Sequence, residues 1–159
     1  MKKLITTLLA LCLTTTATFS DVKLGIIIGF TGPIESLTPD MAAGAELAID
    51  EVNKSGSFSM GTVSGIRADS TCIDSSAATA AAERLITSDK VNGIMGADCS
   101  GVTTAILQQV ALANGMVMVS PSATSPALST VEDNNLFFRT APSDARQGQV
   151  IADILQEKG

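Results

Sequence analysis

Along this chain, short unbroken apolar runs alternate with longer stretches in which apolar residues recur every three or four positions. Val22 to Gly29, reading VKLGIIIG, is apolar after one charge, the pattern of a strand buried on both faces of a parallel sheet. It ends in the turn Phe30-Thr31-Gly32-Pro33. From Pro39 or Asp40, the run MAAGAELAIDEVNK predicts a helix with Met41, Ala45, Ala48, Ile49 and Val52 on one inward stripe. Glu46, Asp50 and Asn53 face away, and Leu47 falls off the stripe. Ser55-Gly56 stops that helix, and Ile66 to Thr71 predicts a short second strand. Asp74-Ser75-Ser76 offers an N-cap for the Ala-rich helix AATAAAERLITS, whose small side chains allow close approach to a sheet. Val91 to Met95 is a third strand. A third helix follows from about Ser100 to Asn114, with Val102, Ile106, Val110 and Leu112 inward and Asn114-Gly115 as its stop. Met116 to Ser120 and Leu136 to Thr140 are two more strands, and Ser143-Asp144 opens a last helix with Val150, Ile151, Ile154 and Leu155 on one face.

Three successive β-then-α units predict an α/β fold built on a doubly wound parallel sheet. In such sheets ligands settle at the carboxyl ends of the strands, so the turn Cys99-Ser100-Gly101 and the hydroxyl-rich loop Ser120 to Pro126 face one crevice. Ser100 there is either a binding hydroxyl in the field of the helix start or an ordinary N-cap. The loop is either a set of ligand contacts or a polar turn stiffened by Pro121 and Pro126. No strand follows the last helix for its apolar face to cover, so the chain is expected to be the amino-terminal part of a longer protein.

Composition narrows the chemistry. The chain has 159 residues, 45% of them hydrophobic but only 3% aromatic, which predicts an aliphatic core. A formal charge of −6 with no basic cluster excludes a nucleic-acid partner. There is no His, which removes Ser-His and Cys-His nucleophile pairs and His metal sites. GxSxG, GxxxxGK[ST] and GxGxxG are also absent, so neither an enzyme nor a bound cofactor is expected. Asp98 beside Cys99 could be imagined as an acid next to a nucleophile, but a bridged Cys is the better reading. Residues 1–20 begin with Lys2 and Lys3, continue as LITTLLALCL and end in small residues, the pattern of a cleaved secretory signal; an uncleaved anchor is the alternative. Cys12 follows Leu11 and not a small residue, so it is read as part of the leader and not as a lipid-bearing Cys. Cys72 and Cys99 are then an even pair, either bridged in an oxidising compartment or left as two buried thiols.

Taken together, the strand ending in Thr31-Gly32-Pro33, the AAGAELAIDEVN helix, the Cys72 and Cys99 pair, CSG opening the third helix, SPSATSPALS (Ser120 to Ser129) and FFRTAPSDARQG (Phe137 to Gly148) carry a resemblance. In this order the chain resembles the periplasmic Leu/Ile/Val-binding proteins, type I substrate-binding proteins of ABC importers. The resemblance covers residues 21 to the end and is specific through the combination of its pieces.

The resemblance implies a two-lobed receptor that closes on an amino acid or similar small polar ligand, such as an amide, and presents it to an ABC permease in the inner membrane. It points to Ser100 as a ligand for the α-carboxylate, and to Ser122 and Thr124 as contacts to the α-amino and α-carboxylate groups. Leu37 falls where the Leu/Ile/Val binders carry an aromatic pocket residue, a departure that bears on branched-chain specificity. The family's disulfide maps onto Cys72 and Cys99, and its first crossing between lobes onto Arg139 and Thr140. The expected organisation is therefore a leader over 1–20, an amino-terminal ligand-binding lobe over 21–138, and the hinge crossing with the start of a second lobe over 139–159. The acidic residue that meets the ligand ammonium in these proteins lies beyond the matched segments, so the chain as it stands is expected to hold half a site. A type I ligand-sensing domain that regulates a partner protein, and transports nothing, is the alternative.

Overall fold

The structure is a computed structural model and describes residues 21–59 and 61–159. The leader and Cys12, read from residues 1–20, lie outside the described residues. The described chain folds into a five-stranded parallel sheet in the order β2-β1-β3-β4-β5. The strands are β1 (Val22–Ile28), β2 (Val63–Asp69), β3 (Gly93–Gly96), β4 (Met118–Ser120) and β5 (Phe137–Arg139). Helix α1 (Thr38–Ser55) joins β1 to β2, and α2 (Ser75–Thr87) joins β2 to β3. Between β3 and β4 runs α3 (Ser100–Ile106), a π-helical turn (Leu107–Ala111) and α4 (Leu112–Asn114). A 3-10 turn, Pro126–Ser129, precedes β5, and α5 (Asp144–Lys158) follows it.

The sheet's two faces follow from side-chain alternation along β1. Ile27 points into a large cluster with Ala82 and Leu85 of α2 and Val102 and Ile106 of α3, all at 0–1% exposure. Each large aliphatic side chain buried there contributes about 1.5–3 kcal/mol. Ile26 and Ile28 point the other way, toward Ala42, Met41 and Ile49 of α1. Gly25 of β1 makes room for α2: a Cβ added there would lie 2.8 Å from Leu85 Cδ1.

Local signals account for several ends. Asp74 caps α2, its Oδ1 accepting from the amides of Ser76 (2.9 Å) and Ala77 (3.0 Å). Gly115, at φ +61°, closes α4 in the left-handed region that glycine adopts without strain.

Three expectations are corrected. β2 starts at Val63 and ends at Asp69, because its register is set by pairing along the whole of β1, Val22 with Val63 through Ile28 with Asp69. The inward stripe of α1 holds at Met41, Ala45 and Ile49, which pack half-buried against Ile26 and Ile28, but not at its other two positions. Thr38 and Ala42 are its buried residues, while Ala48 and Val52 are exposed beside an apolar groove of about 350 Å³ between α1 and the sheet. The third predicted helix is not uniformly α, since a π-turn inserts Leu107 and Ala111 into the core beside Val110. On the α1 side of the sheet, Val119 and Phe138 remain 38% and 54% exposed, and the apolar face of α5 is uncovered among the described residues.

Candidate functional site at the carboxyl ends of the strands

The chain leaves β1 for β2 on one side and returns past β1 to β3 on the other, so the sheet's topological switch lies between β1 and β3. The carboxyl ends of both strands are joined there through Asp98, whose Oδ2 accepts from the Gly29 amide at 2.8 Å. Beside them Cys72 and Cys99 form a disulfide, linking the loop after β2 to the residue that precedes α3. The sequence reading of a bridged pair is thus what the structure contains.

Ser100 is the first residue of α3, and Cys99, not Ser100, occupies the N-cap position. The Ser100 hydroxyl does not cap its own helix. It accepts from the Ser125 amide at 3.1 Å, which ties the CSG turn to the SPSATSP loop. With that lone pair used, the hydroxyl proton is directed elsewhere and can donate.

The SPSATSP loop is itself built on Ser120, a fully buried residue at the end of β4. Its hydroxyl donates to the Ala97 carbonyl at 2.5 Å and accepts from the Ala123 amide at 2.9 Å. Ser122 donates its hydroxyl to the Asp98 carbonyl at 3.0 Å. The Thr124 hydroxyl donates to Asp144 Oδ2, and the Thr124 carbonyl accepts from the Asp144 amide, both at 2.9 Å.

The chain segment leaving β5 is clamped to the same loop. One guanidinium nitrogen of Arg139 donates to the carbonyls of Ala123 (3.1 Å) and Ser125 (2.8 Å), and the other donates to Ser129. The Thr140 amide donates to the Ser120 carbonyl at 3.0 Å, and its hydroxyl to the Pro121 carbonyl at 3.3 Å.

Of the predicted site residues, Ser100, Ser122, Thr124, Arg139 and Thr140 thus meet around one loop. Leu37 stands apart, 63% exposed at the N-cap of α1. Among the described residues no hydrogen bond ties it to the cluster; its amide donates to Ile34. Two residues that hold the cluster were not singled out as site residues from sequence: Asp98 and Asp144. Asp98 carried a signal, being an acid set between an apolar strand and a helix start, but two of its carboxylate's partners, Ser70 and Gly29, lie 28 and 69 positions away. Among the described residues no group of three or more His, Cys, Asp or Glu is placed to hold a metal.

The second acid at the strand ends, Asp69, fastens the TGP turn. Its carboxylate accepts from the Thr31 hydroxyl at 2.5 Å and from the Thr71 amide at 2.8 Å. Partial burial pushes its pKa up, but the hydrogen bonds from Thr31, Thr71 and Phe30 together outweigh burial and hold it below the usual Asp value.

Comparison with known proteins supplies the family. Residues 40–159 match the family model of the receptor family ligand binding region. The chain is 31% identical over 139 residues to Leu/Ile/Val-binding protein homolog 3 of Brucella melitensis, a match covering 87% of this chain and 37% of that protein. It is 32% identical over 141 residues to the chemotactic signal transduction system substrate-binding protein BasB of Halobacterium salinarum, covering 86% of this chain and 34% of that one. Among solved structures, it superposes on an ABC transporter substrate-binding protein of Desulfitobacterium hafniense in complex with Leu. The TM-score is 0.76 at 26% identity, covering 88% of this chain and 40% of that one. The chain therefore spans little more than a third of the length of the curated relatives it matches. By its matched residues and by its parallel sheet, the chain belongs to the receptor ligand-binding-region family and corresponds there to the amino-terminal portion of the Leu/Ile/Val-binding proteins, with an incomplete lobe of their type I fold.

Proposed function

We propose that the chain is the first lobe of an extracytoplasmic solute-binding protein that captures an amino acid or related amide and delivers it to the permease of an ABC importer. In this reading 21–138 form the ligand-binding lobe, and 139–159 carry the hinge at Arg139 and Thr140 and open the second lobe. Residues 1–20 direct export.

The observation that carries the reading is the Ser100–Ser125 bond. It draws the CSG turn and the SPSATSP loop together at the strand ends and leaves the Ser100 proton free for a carboxylate. Ser100 then donates to the ligand α-carboxylate, aided by free backbone amides at the helix start. Ser122 and Thr124 supply the remaining contacts to the α-groups, and Leu37 borders the side-chain pocket. No covalent chemistry is involved.

Calorimetric titration of the chain with leucine, valine, glutamate, urea and short amides tests the proposal. Saturable binding of one of them, weakened about tenfold by Ser100→Ala as expected for one lost hydrogen bond to a charged group, supports it. A folded chain that binds none of them, alone or continued into a second lobe, overturns it. A second reading, a ligand-sensing domain that signals to a partner, is favoured by the likeness to the chemotactic binding protein of Halobacterium salinarum. Ligand-dependent pull-down of a signalling receptor and not of a permease distinguishes it.

A further inference from the structure

Asp98 is 3% exposed, and its partners come from three separate strand ends. Its carboxylate accepts from the Gly29 amide after β1 (2.8 Å), the Ser70 hydroxyl after β2 (3.1 Å) and the Cys99 amide before α3 (2.9 Å). Its carbonyl accepts from Ser122 in the loop after β4. A fourth element is joined indirectly, because the Gly29 carbonyl accepts from Thr38 at the start of α1. A carboxylate this buried is retained only when its oxygens are well supplied with donors, and three are present.

We propose that Asp98 is the positioning residue of the ligand site, deciding which donors face the crevice; the proposal rests on the function given above. The Cys99 amide and the Ser122 hydroxyl are both turned inward onto Asp98. The donors left to a ligand are therefore the Ser100 hydroxyl and the next amides of the helix start. The Ser122 amide is likewise taken, donating to the buried Ser120 hydroxyl at 3.4 Å. Loss of the Asp98 carboxylate frees the Cys99 amide and uncouples the ends of β1 and β3 at the switch point, so that Ser100 no longer has one position relative to Ser122.

The test compares Asp98→Ala and Asp98→Asn with the parent chain by two measurements. Residue-resolved amide hydrogen exchange is followed at Gly29, Cys99 and Ser100, with Ile26 and Ile94 inside the strands as references. Calorimetry measures the preference for leucine over leucinamide, which lacks the carboxylate. The expected result for Asp98→Ala is exchange about tenfold faster at Gly29 and Cys99 with the mid-strand references unchanged. The leucine preference is expected to collapse, and Asp98→Asn, which keeps one acceptor, to recover part of it. Unchanged exchange at Gly29 and Cys99, or acceleration spread equally over Ile26 and Ile94, overturns the positioning role. If Asp98→Ala does not fold, Asp98→Asn decides alone on the same criteria. If the parent chain, alone or continued into a second lobe, binds neither compound nor any of those named above, the proposed function fails, and the exchange pattern still decides whether Asp98 orders the loop.

Discussion

Thr124 and Asp144 hold each other twice: the threonine hydroxyl donates to the aspartate carboxylate, and the aspartate amide donates to the threonine carbonyl, each at 2.9 Å. Asp144 therefore presents an amide and a carboxylate to the groups that the proposed function assigns to a ligand. A ligand carboxylate must displace the Asp144 side chain from Thr124. Asp144→Ala should accordingly tighten leucine binding by roughly three- to tenfold, the range of one exposed hydrogen bond. Calorimetry on the variant checks this, and unchanged or weaker binding contradicts the competition.

The Cys72–Cys99 bridge closes a segment with a sequence separation of 27. On the chain-entropy argument such a loop stabilises by about 3–4 kcal/mol. The double variant Cys72→Ala, Cys99→Ala should lower the urea midpoint accordingly. A loss under about 1 kcal/mol would show that the unfolded chain is already compact there.

The lowered pKa of Asp69 makes the TGP turn acid-sensitive. Because the folded value lies below the unfolded one, the contribution is fully present above the unfolded pKa and is lost as pH falls through the folded value. The stability difference between the parent and Asp69→Asn should be constant at neutral pH and shrink as the pH falls below the ordinary Asp value of 3.8. Thermal melts from neutral pH down through the acid range test it, and a difference that does not change as the pH falls refutes the assignment.

Two glycines should respond in opposite directions. Gly32, in the same turn, has φ +96°, and a Cβ there would lie 2.4 Å from the Thr71 carbonyl oxygen. Gly32→Ala should cost about 1–3 kcal/mol. Gly44, inside α1, meets nothing within 4 Å. Gly44→Ala should stabilise by about 0.5–1 kcal/mol through helix propensity. Urea unfolding of both variants checks the pair, and equal effects would contradict it.

Much of the architecture was legible in local pattern. Apolar runs marked β1, β3, β4 and β5, Asp74 marked the start of α2, and Gly115 marked the end of α4. These signals work because each depends on side chains within a few residues of one another. The two cysteines and the CSG and SPSATSP segments were visible for the same reason.

What tertiary structure alone decided were relations between distant residues. The span of β2 came from its register on β1, and the burial of Ala42 in place of Ala48 and Val52 came from how α1 lies across Ile26 and Ile28. Asp98 shows the difference most clearly. Its place between a strand and a helix is local, but the Gly29 and Ser70 groups that occupy its oxygens reach it only once three parallel strands end side by side. Parallel pairing brings together groups far apart in sequence, and no period or propensity along the chain records which of them will meet.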